Sequence, residues 1–269
     1  MIRKFFLKIF GSIFLTNNFI VKKILEYNRP TLVKETFNYP SIINNGYLHI
    51  EQTFELIDYL KLKNEKGIVV DIGAADGIIS LMFSDFFKTK IYSFEPIKKT
   101  FNQLLENTKH DKSIKQINKA LGEKKGKMAI NITNRITSSS FFPIQKEIKD
   151  EFLASNILYV NAEEVIISKL DEEIPKGEKV HLIKIDVQGF ELEVLKGSID
   201  TLKHTSIILV EMQNHTIYSG APKYFEIDCF LREHNFTLYN MIPSIRKNNK
   251  LYEWDAIYVS SEIDKKINN

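Results

Sequence analysis

Short apolar runs alternate with amphipathic stretches along most of this chain. Residues 68–70 form a β-branched run typical of a buried parallel strand, and residues 78–87 follow with a mainly apolar helical pattern. Further strands are predicted at residues 91–94, 114–118, 180–185, 206–212, 236–240 and 256–260. This alternation predicts an α/β fold with a doubly wound, mostly parallel sheet and helices on both faces.

The segment between the first strand and the first helix predicts a ligand-binding turn. Its glycines allow backbone conformations and close ligand approach that a side chain would block, and the next helix offers free amide groups to an acidic ligand. A turn for a dinucleotide would need glycine where Ala75 and Ile78 stand. The acidic Asp71 would repel a pyrophosphate but suits an ammonium or sulfonium group, which favours S-adenosylmethionine over a nicotinamide cofactor. The candidate cofactor contacts here are Asp71, Gly73, Ala74, Asp76 and Gly77.

The ends of the next two predicted strands add three candidate cofactor contacts. Glu95 follows strand 91–94, where a carboxylate can accept hydrogen bonds from ribose hydroxyls. Pro96 then starts a predicted helix. Asn118 ends the following strand and is interpreted either as a partner for adenine or as an ordinary turn amide.

The strand at residues 180–185 leads to the candidate catalytic residues. Lys184 and Asp186 alternate with apolar neighbours and point to the same side, so we expect them to pair with each other or with a ligand. Removal of a proton from a hydroxyl acceptor requires a base, for which Asp186 is the first choice and Glu211 and His215 are alternatives. His215 titrates near neutral pH, although an exposed loop histidine is an equal interpretation. The carboxyl ends of parallel strands meet at one edge, so we expect convergence of Asp71, Glu95, Asn118, Asp186 and Glu211.

Composition and charge indicate which metals and macromolecules the chain is expected to bind. The six histidines are scattered without zinc-type spacing, so no metal site is predicted, although Asp186 and Glu211 could offer two oxygen ligands. A formal net charge of +3 over 269 residues does not favour nucleic acid. The single Cys229 is expected to pack in the core.

The start of the chain has a different character. Lysine and arginine alternate with phenylalanine, leucine and isoleucine, which predicts a basic amphipathic helix within a helical N-terminal extension of residues 1–66, before a catalytic domain of residues 67–269. Residues 1–25 either pack on the domain or a homo-oligomer partner, or contact an anionic membrane surface peripherally. The charge-free run 9–21 is too short to span a bilayer, and no signal-peptide cleavage pattern follows it. We therefore expect a cytoplasmic protein, either free or peripheral at the inner membrane surface.

Several segments resemble FkbM-type methyltransferases in their order along the chain, over about residues 67–212. They are DIGAADG, YSFEP, NKALGEKKG, TSSSFF, LIKIDVQGFELEVLKG and IILVEMQ. Asp76 stands where the family commonly has Asn, and Gln188 stands where many members have Glu.

This resemblance implies a class I, Rossmann-like fold and S-adenosylmethionine-dependent O-methylation. The implied acceptor is a hydroxyl of a sugar, glycan precursor or secondary metabolite. Two alternatives stay open from the sequence: a catalytically silent cofactor-binding subunit, and a nicotinamide-dependent oxidoreductase, which Ala75 and Ile78 disfavour.

Overall fold

The computed structural model describes residues 48–61, 67–145, 157–214, 217–247 and 249–268. The predicted amphipathic helix at the start of the chain and His215 lie outside these residues. The helices are α1 (Leu48–Tyr59), α2 (Ile78–Phe87), α3 (Lys98–Thr108), α4 (Leu170–Glu173), α5 (Glu191–Lys196), α6 (Ile199–Leu202), α7 (Tyr224–Glu233) and α8 (Ser261–Asn268). Among these helices, none has the length and apolar character that a bilayer crossing needs.

The strands of the described residues form two sheets. They are β1 (Ile68–Ile72), β2 (Ile91–Phe94), β3 (Ile114–Ile117), β4 (Ala120–Leu121), β5 (Gly126–Thr133), β6 (Tyr159–Ser168), β7 (Val180–Ile185), β8 (Thr205–Gln213), β9 (Phe236–Lys247) and β10 (Lys250–Ser260). The larger sheet has the order β3-β2-β1-β7-β8-β10-β9, and β10 is antiparallel to both of its neighbours. The other pairings are parallel, which confirms the prediction of a doubly wound, mostly parallel sheet.

The two faces of the large sheet differ in chemistry. One face is apolar and packs against α5, α6 and α7 through Val194, Leu202 and Leu231. On the other face the register aligns Asp71 of β1 with Lys184 of β7. Because buried charges need partners, this polar row predicts an ion cluster inside the sheet.

Helix α1 packs against the same body as the sheet. The Phe54 ring of α1 stacks on Phe86 of α2 with centroids 3.9 Å apart, and Asn240 of β9 donates a hydrogen bond to Gln52 at 2.8 Å. Residues from Tyr47 onward form one compact unit. Helix α1, which lies within the predicted N-terminal extension of residues 1–66, therefore belongs to this unit.

The helical stretch over residues 191–202 is interrupted. It is divided into α5 and α6 at Gly197, where the chain passes against the backbone of Gly122. A Cβ atom at Gly197 would lie 2.2 Å from the Gly122 carbonyl oxygen. This close approach joins the helical layer to β4 and limits the helix to short pieces.

Strands β5 and β6, which come from the long segment after Gly126, form the second sheet together with β4, in the order β4-β6-β5. Its inner face buries Ile130, Val165 and Ile167 with Phe141 and Phe190. Phe190 precedes α5, so the second sheet is anchored directly beside the end of β7.

Gly197→Ala is expected to destabilise the fold by about 1–3 kcal/mol, because the added methyl group meets a backbone oxygen that cannot rotate away. Thermal and urea unfolding measure the change. The control Ala162→Val enlarges an exposed side chain on β6 and should shift the free energy of unfolding much less. Equal stability of Gly197→Ala and the wild type would contradict the close approach.

Candidate functional site

The turn between β1 and α2 is shaped by contacts within the protein. Gly73 has φ +77° and Gly77 has φ +86°, so the positive dihedrals expected of these glycines are present. A Cβ at Gly73 would lie 1.9 Å from the Asp186 carbonyl oxygen, and one at Gly77 would lie 2.5 Å from Leu104. The close approach that the glycines allow is therefore to β7 and α3, whereas a ligand was expected there.

The amide groups of this turn already have acceptors. The N–H groups of Gly73 and Ala74 donate to the Phe94 oxygen at 3.0 and 2.9 Å, and Gly77 N–H donates to the Ala74 oxygen. Ile78 N–H lies 3.4 Å from Asp76 Oδ1, so Asp76 caps α2. These contacts fix the shape of the turn, and binding of an acidic ligand group by the amides at the start of α2 stays a prediction.

Glu95 is a buried carboxylate that closes the turn. It is 5% exposed; its Oε2 accepts the Ala75 N–H at 3.1 Å and its Oε1 accepts the Ile97 N–H at 2.9 Å. Burial raises the pKa of Glu95 to about 7, although these two hydrogen bonds favour the charged form. A carboxylate has about four acceptor sites, so roughly two remain for ligand hydroxyls.

Asn118 supports Glu95 through the backbone. Its Nδ2 donates to the oxygens of Glu95 and Pro96 at 2.9 and 2.8 Å. These two contacts fit the turn-amide interpretation, and a contact with adenine stays a prediction. Pro96 lies two residues before α3 begins at Lys98, so the loop and not the helix carries it.

Asp71 has no solvent exposure, which corrects its predicted contact with a ligand ammonium or sulfonium. Its Oδ2 accepts a hydrogen bond from the Ser80 hydroxyl at 2.6 Å, and its Oδ1 lies 3.6 Å from Lys184 Nζ. Burial raises the pKa of Asp71, and the Lys184 charge opposes that rise. Asp71 thus acts on the site through Lys184.

Lys184 joins the turn to the end of β7. Its ammonium donates to the Gly73 oxygen at 2.9 Å and lies 3.6 Å from carboxylate oxygens of both Asp71 and Asp186. Burial alone would lower its pKa, but the carboxylates of Asp186 and Asp71 raise the pKa above the ordinary value. With a side chain 4% exposed, Lys184 positions the site and is enclosed away from an acceptor.

Asp186 and Glu211 come together through the side chain of Gln188. Gln188 Nε2 donates to Asp186 Oδ1 at 3.0 Å and to Glu211 Oε2 at 2.9 Å. The Gln188 residue has φ +56°, and the Ser140 hydroxyl donates to its backbone oxygen at 2.6 Å. Burial and the Asp186 charge raise the pKa of Glu211 well above its ordinary value. The Asp186 side chain is 38% exposed, so it is the member of this group that an acceptor can reach.

Sequence reasoning missed other polar residues at this site. His49 of α1 lies 3.5 Å from Asp255 of β10, and the Tyr218 hydroxyl lies 3.0 Å from Gln188 Oε1. Burial lowers the pKa of His49 to about 4 and raises that of Asp255 to about 8. Alternating acids at Glu253 and Asp255 were the one available signal in the sequence, because His49 and Tyr218 arrive from distant segments.

The predicted site residues that the structure describes thus converge at one edge of the sheet. In this part of the chain, no group of three or more histidine, cysteine, aspartate or glutamate side chains has an arrangement that could hold a metal ion.

Comparison with solved structures finds distant similarities. Magnesium protoporphyrin IX methyltransferase of Synechocystis PCC 6803 is 12% identical, with a TM-score of 0.44, over 86% of this chain and 96% of that one. An rRNA methylase of Streptococcus thermophilus is 11% identical, with a TM-score of 0.44, over 78% of this chain and 95% of that one.

Comparison of sequences finds closer similarities. Hexuronic acid methyltransferase AglP of Haloferax volcanii is 26% identical over 161 residues, which are 57% of this chain and 59% of that protein. The chain therefore matches less than two thirds of that relative's length. The family model described as the methyltransferase FkbM domain matches residues 71–238, which is more than half of the chain. This chain belongs to the FkbM methyltransferase family, as its motifs predicted.

Proposed function

We propose that this enzyme transfers a methyl group from S-adenosylmethionine to a hydroxyl of a sugar, glycan precursor or secondary metabolite. One observation carries the proposal: the buried Glu95 carboxylate is hydrogen-bonded to Ala75, within the Gly73–Gly77 turn. The partly exposed Asp186 side chain lies beside the same turn. Family membership supplies the methyl transfer. The hexuronic acid substrate named for the archaeal relative supports a sugar acceptor.

The residues present fit the proposed donor. Glu95 keeps free acceptor sites for ribose hydroxyls, and Asn118 fixes the backbone around it. The side chains of Ala75 and Ile78 occupy positions that glycine takes in turns for a pyrophosphate, which favours a cofactor without one. S-adenosylmethionine supplies an electrophilic methyl carbon on a sulfonium when it is bound.

Asp186 is proposed as the proton acceptor. Its Oδ1 is held by Gln188 at 3.0 Å, whereas its Oδ2 faces Lys184 at 3.6 Å and is left to take the proton of the acceptor hydroxyl. The Lys184 charge stabilises the ionised carboxylate before the transfer and keeps Asp71 as a partner afterwards. Holding the hydroxyl and its base in fixed positions supplies much of the acceleration.

The other candidate bases, Glu211 and His215, are not assigned the proton transfer. Glu211 shares the Gln188 amide and is proposed to orient the site, and His215 stays a prediction because it lies outside the described residues. Peripheral membrane contact through residues 1–25 and self-association also stay predictions.

Binding of S-adenosylmethionine is expected to strengthen as the pH rises from 6 to 8. The pKa of Glu95 is raised to about 7 by burial, and ribose hydroxyls donate best to its ionised form. If the ionised form alone binds, the affinity rises about tenfold over this range. Calorimetric titration measures it, and Glu95→Gln should bind weakly with little pH dependence. A pH-dependent Glu95→Gln would remove Glu95 as the cause.

Asp186→Asn is expected to lower kcat by about 10²–10⁴-fold while cofactor affinity changes little, because the amide cannot accept the proton. Transfer of labelled methyl from S-adenosylmethionine to a panel of glycosides measures turnover, and mass spectrometry identifies the product. Asp200→Asn makes the same chemical change at an exposed position on α6 and should behave as the wild type. Absence of transfer by the wild type to any hydroxyl compound, or an active Asp186→Asn, would refute the proposal.

Gln188→Glu is expected to move the acidic limb of the pH–rate profile upward by about one pH unit, because a third carboxylate beside Asp186 and Glu211 retains a proton in the cluster. Gln188→Ala removes the bridging amide without adding charge and should lower the rate with a smaller displacement of the limb. Identical pH profiles for the two variants would show that the charge at this position is irrelevant.

A further inference from the structure

The mouth of the proposed active site is lined by acids from three strands. Asp186 follows β7, Glu211 lies on β8, and Glu253 and Asp255 lie on β10. The antiparallel register pairs Asp255 with Glu211 and Glu253 with Gln213, so these side chains share one face of the sheet. Burial together with the Asp186 charge raises the pKa values of Glu211, Glu253 and Asp255. These acids therefore retain protons readily, and a bound cation would favour their ionised forms beside Asp186.

The positively charged side chain at this mouth already has partners within the protein. Within the described residues, the lysine that contacts these acids is Lys184, and its ammonium is enclosed between the Gly73 oxygen, Asp71 and Asp186. His49 lies beside Asp255, but burial and the Lys184 charge hold its pKa near 4, so it is neutral at neutral pH. Among the residues that the structure describes, these groups leave no cation directed at a carboxylate of an acceptor.

The hydrogen-bonding groups at the same place call for donors from the ligand. Gln213 is buried, its Nε2 lies 3.3 Å from Glu253 Oε2, and its Oε1 has no hydrogen-bond partner among the described residues. Carboxylates and a free amide oxygen accept hydrogen bonds. An ammonium or hydroxyl can donate to them, and an ammonium also favours the ionised forms of the crowded acids, whereas a ligand carboxylate would add a further negative charge beside Asp186.

We propose that the acceptor is a sugar-like hydroxyl compound that carries an ammonium group, and that the site selects against compounds that carry a carboxylate. This inference rests on the proposed function, since it concerns the acceptor of the same active site. It separates this enzyme from the archaeal relative, whose name specifies a hexuronic acid.

The test compares three matched probes, the methyl glycosides of glucosamine, glucose and glucuronic acid, with the full-length chain and labelled S-adenosylmethionine. We expect kcat/KM to fall in that order, by at least about tenfold from the first to the third. Glu253→Gln should reduce this ratio. Glu164→Gln makes the same change on the exposed side of β6 and should leave it unchanged.

Binding of the three glycosides to protein saturated with S-adenosylhomocysteine gives the same ranking without turnover. A glucuronide that is methylated or bound as well as the glucosaminide, a ratio unaffected by Glu253→Gln, or failure of all three to bind would overturn the inference. Failure to bind S-adenosylmethionine at all is a different result, since it would refute the proposed function itself.

Discussion

The buried ammonium of Lys184 is the contact on which the site depends. It joins three separate pieces of chain: Asp71 within β1, the Gly73 carbonyl in the turn, and Asp186 at the end of β7. Removing charges from water is costly and is offset only when partners and geometry are good. A single ion cluster therefore sets the distance between the half of the site assigned to the donor and the half assigned to the acceptor.

The Gln188 amide solves a second electrostatic problem. Two carboxylates held beside one another repel unless a donor lies between them, and the two hydrogens of one amide nitrogen reach Asp186 and Glu211 at 3.0 and 2.9 Å. The resemblance assigns glutamate to this position in many family members; a glutamate has one O–H to donate, and only while protonated, so it could make one of these two contacts. The amide provides them at any pH, so Asp186 is free to exchange its proton with an acceptor.

Local patterns predicted β1, its turn, α2 and the polar residues after β2 and β7, because buried strands and tight turns leave marks within a few residues. The contacts of His49 and Tyr218 could not be read in this way, since both depend on segments far apart in the chain. The close approach of Gly197 to the Gly122 backbone likewise leaves no local mark, because it joins distant segments. Asp71 was predicted to contact a ligand because the local pattern places it near the end of a strand. That pattern does not reveal that the Ser80 hydroxyl donates a hydrogen bond to it.

Two residues without the freedom of glycine adopt positive φ angles at this site, Ala75 at +48° and Gln188 at +56°. Such conformations cost about 1–3 kcal/mol each and persist where surrounding contacts hold them. The Ala75 N–H donates a hydrogen bond to the Glu95 carboxylate, and the Ser140 hydroxyl donates one to the Gln188 carbonyl oxygen. Hydrogen bonds within the protein thus offset the strain at both positions. In the proposed reaction, turns held in this way would help to place the donor and the acceptor in line.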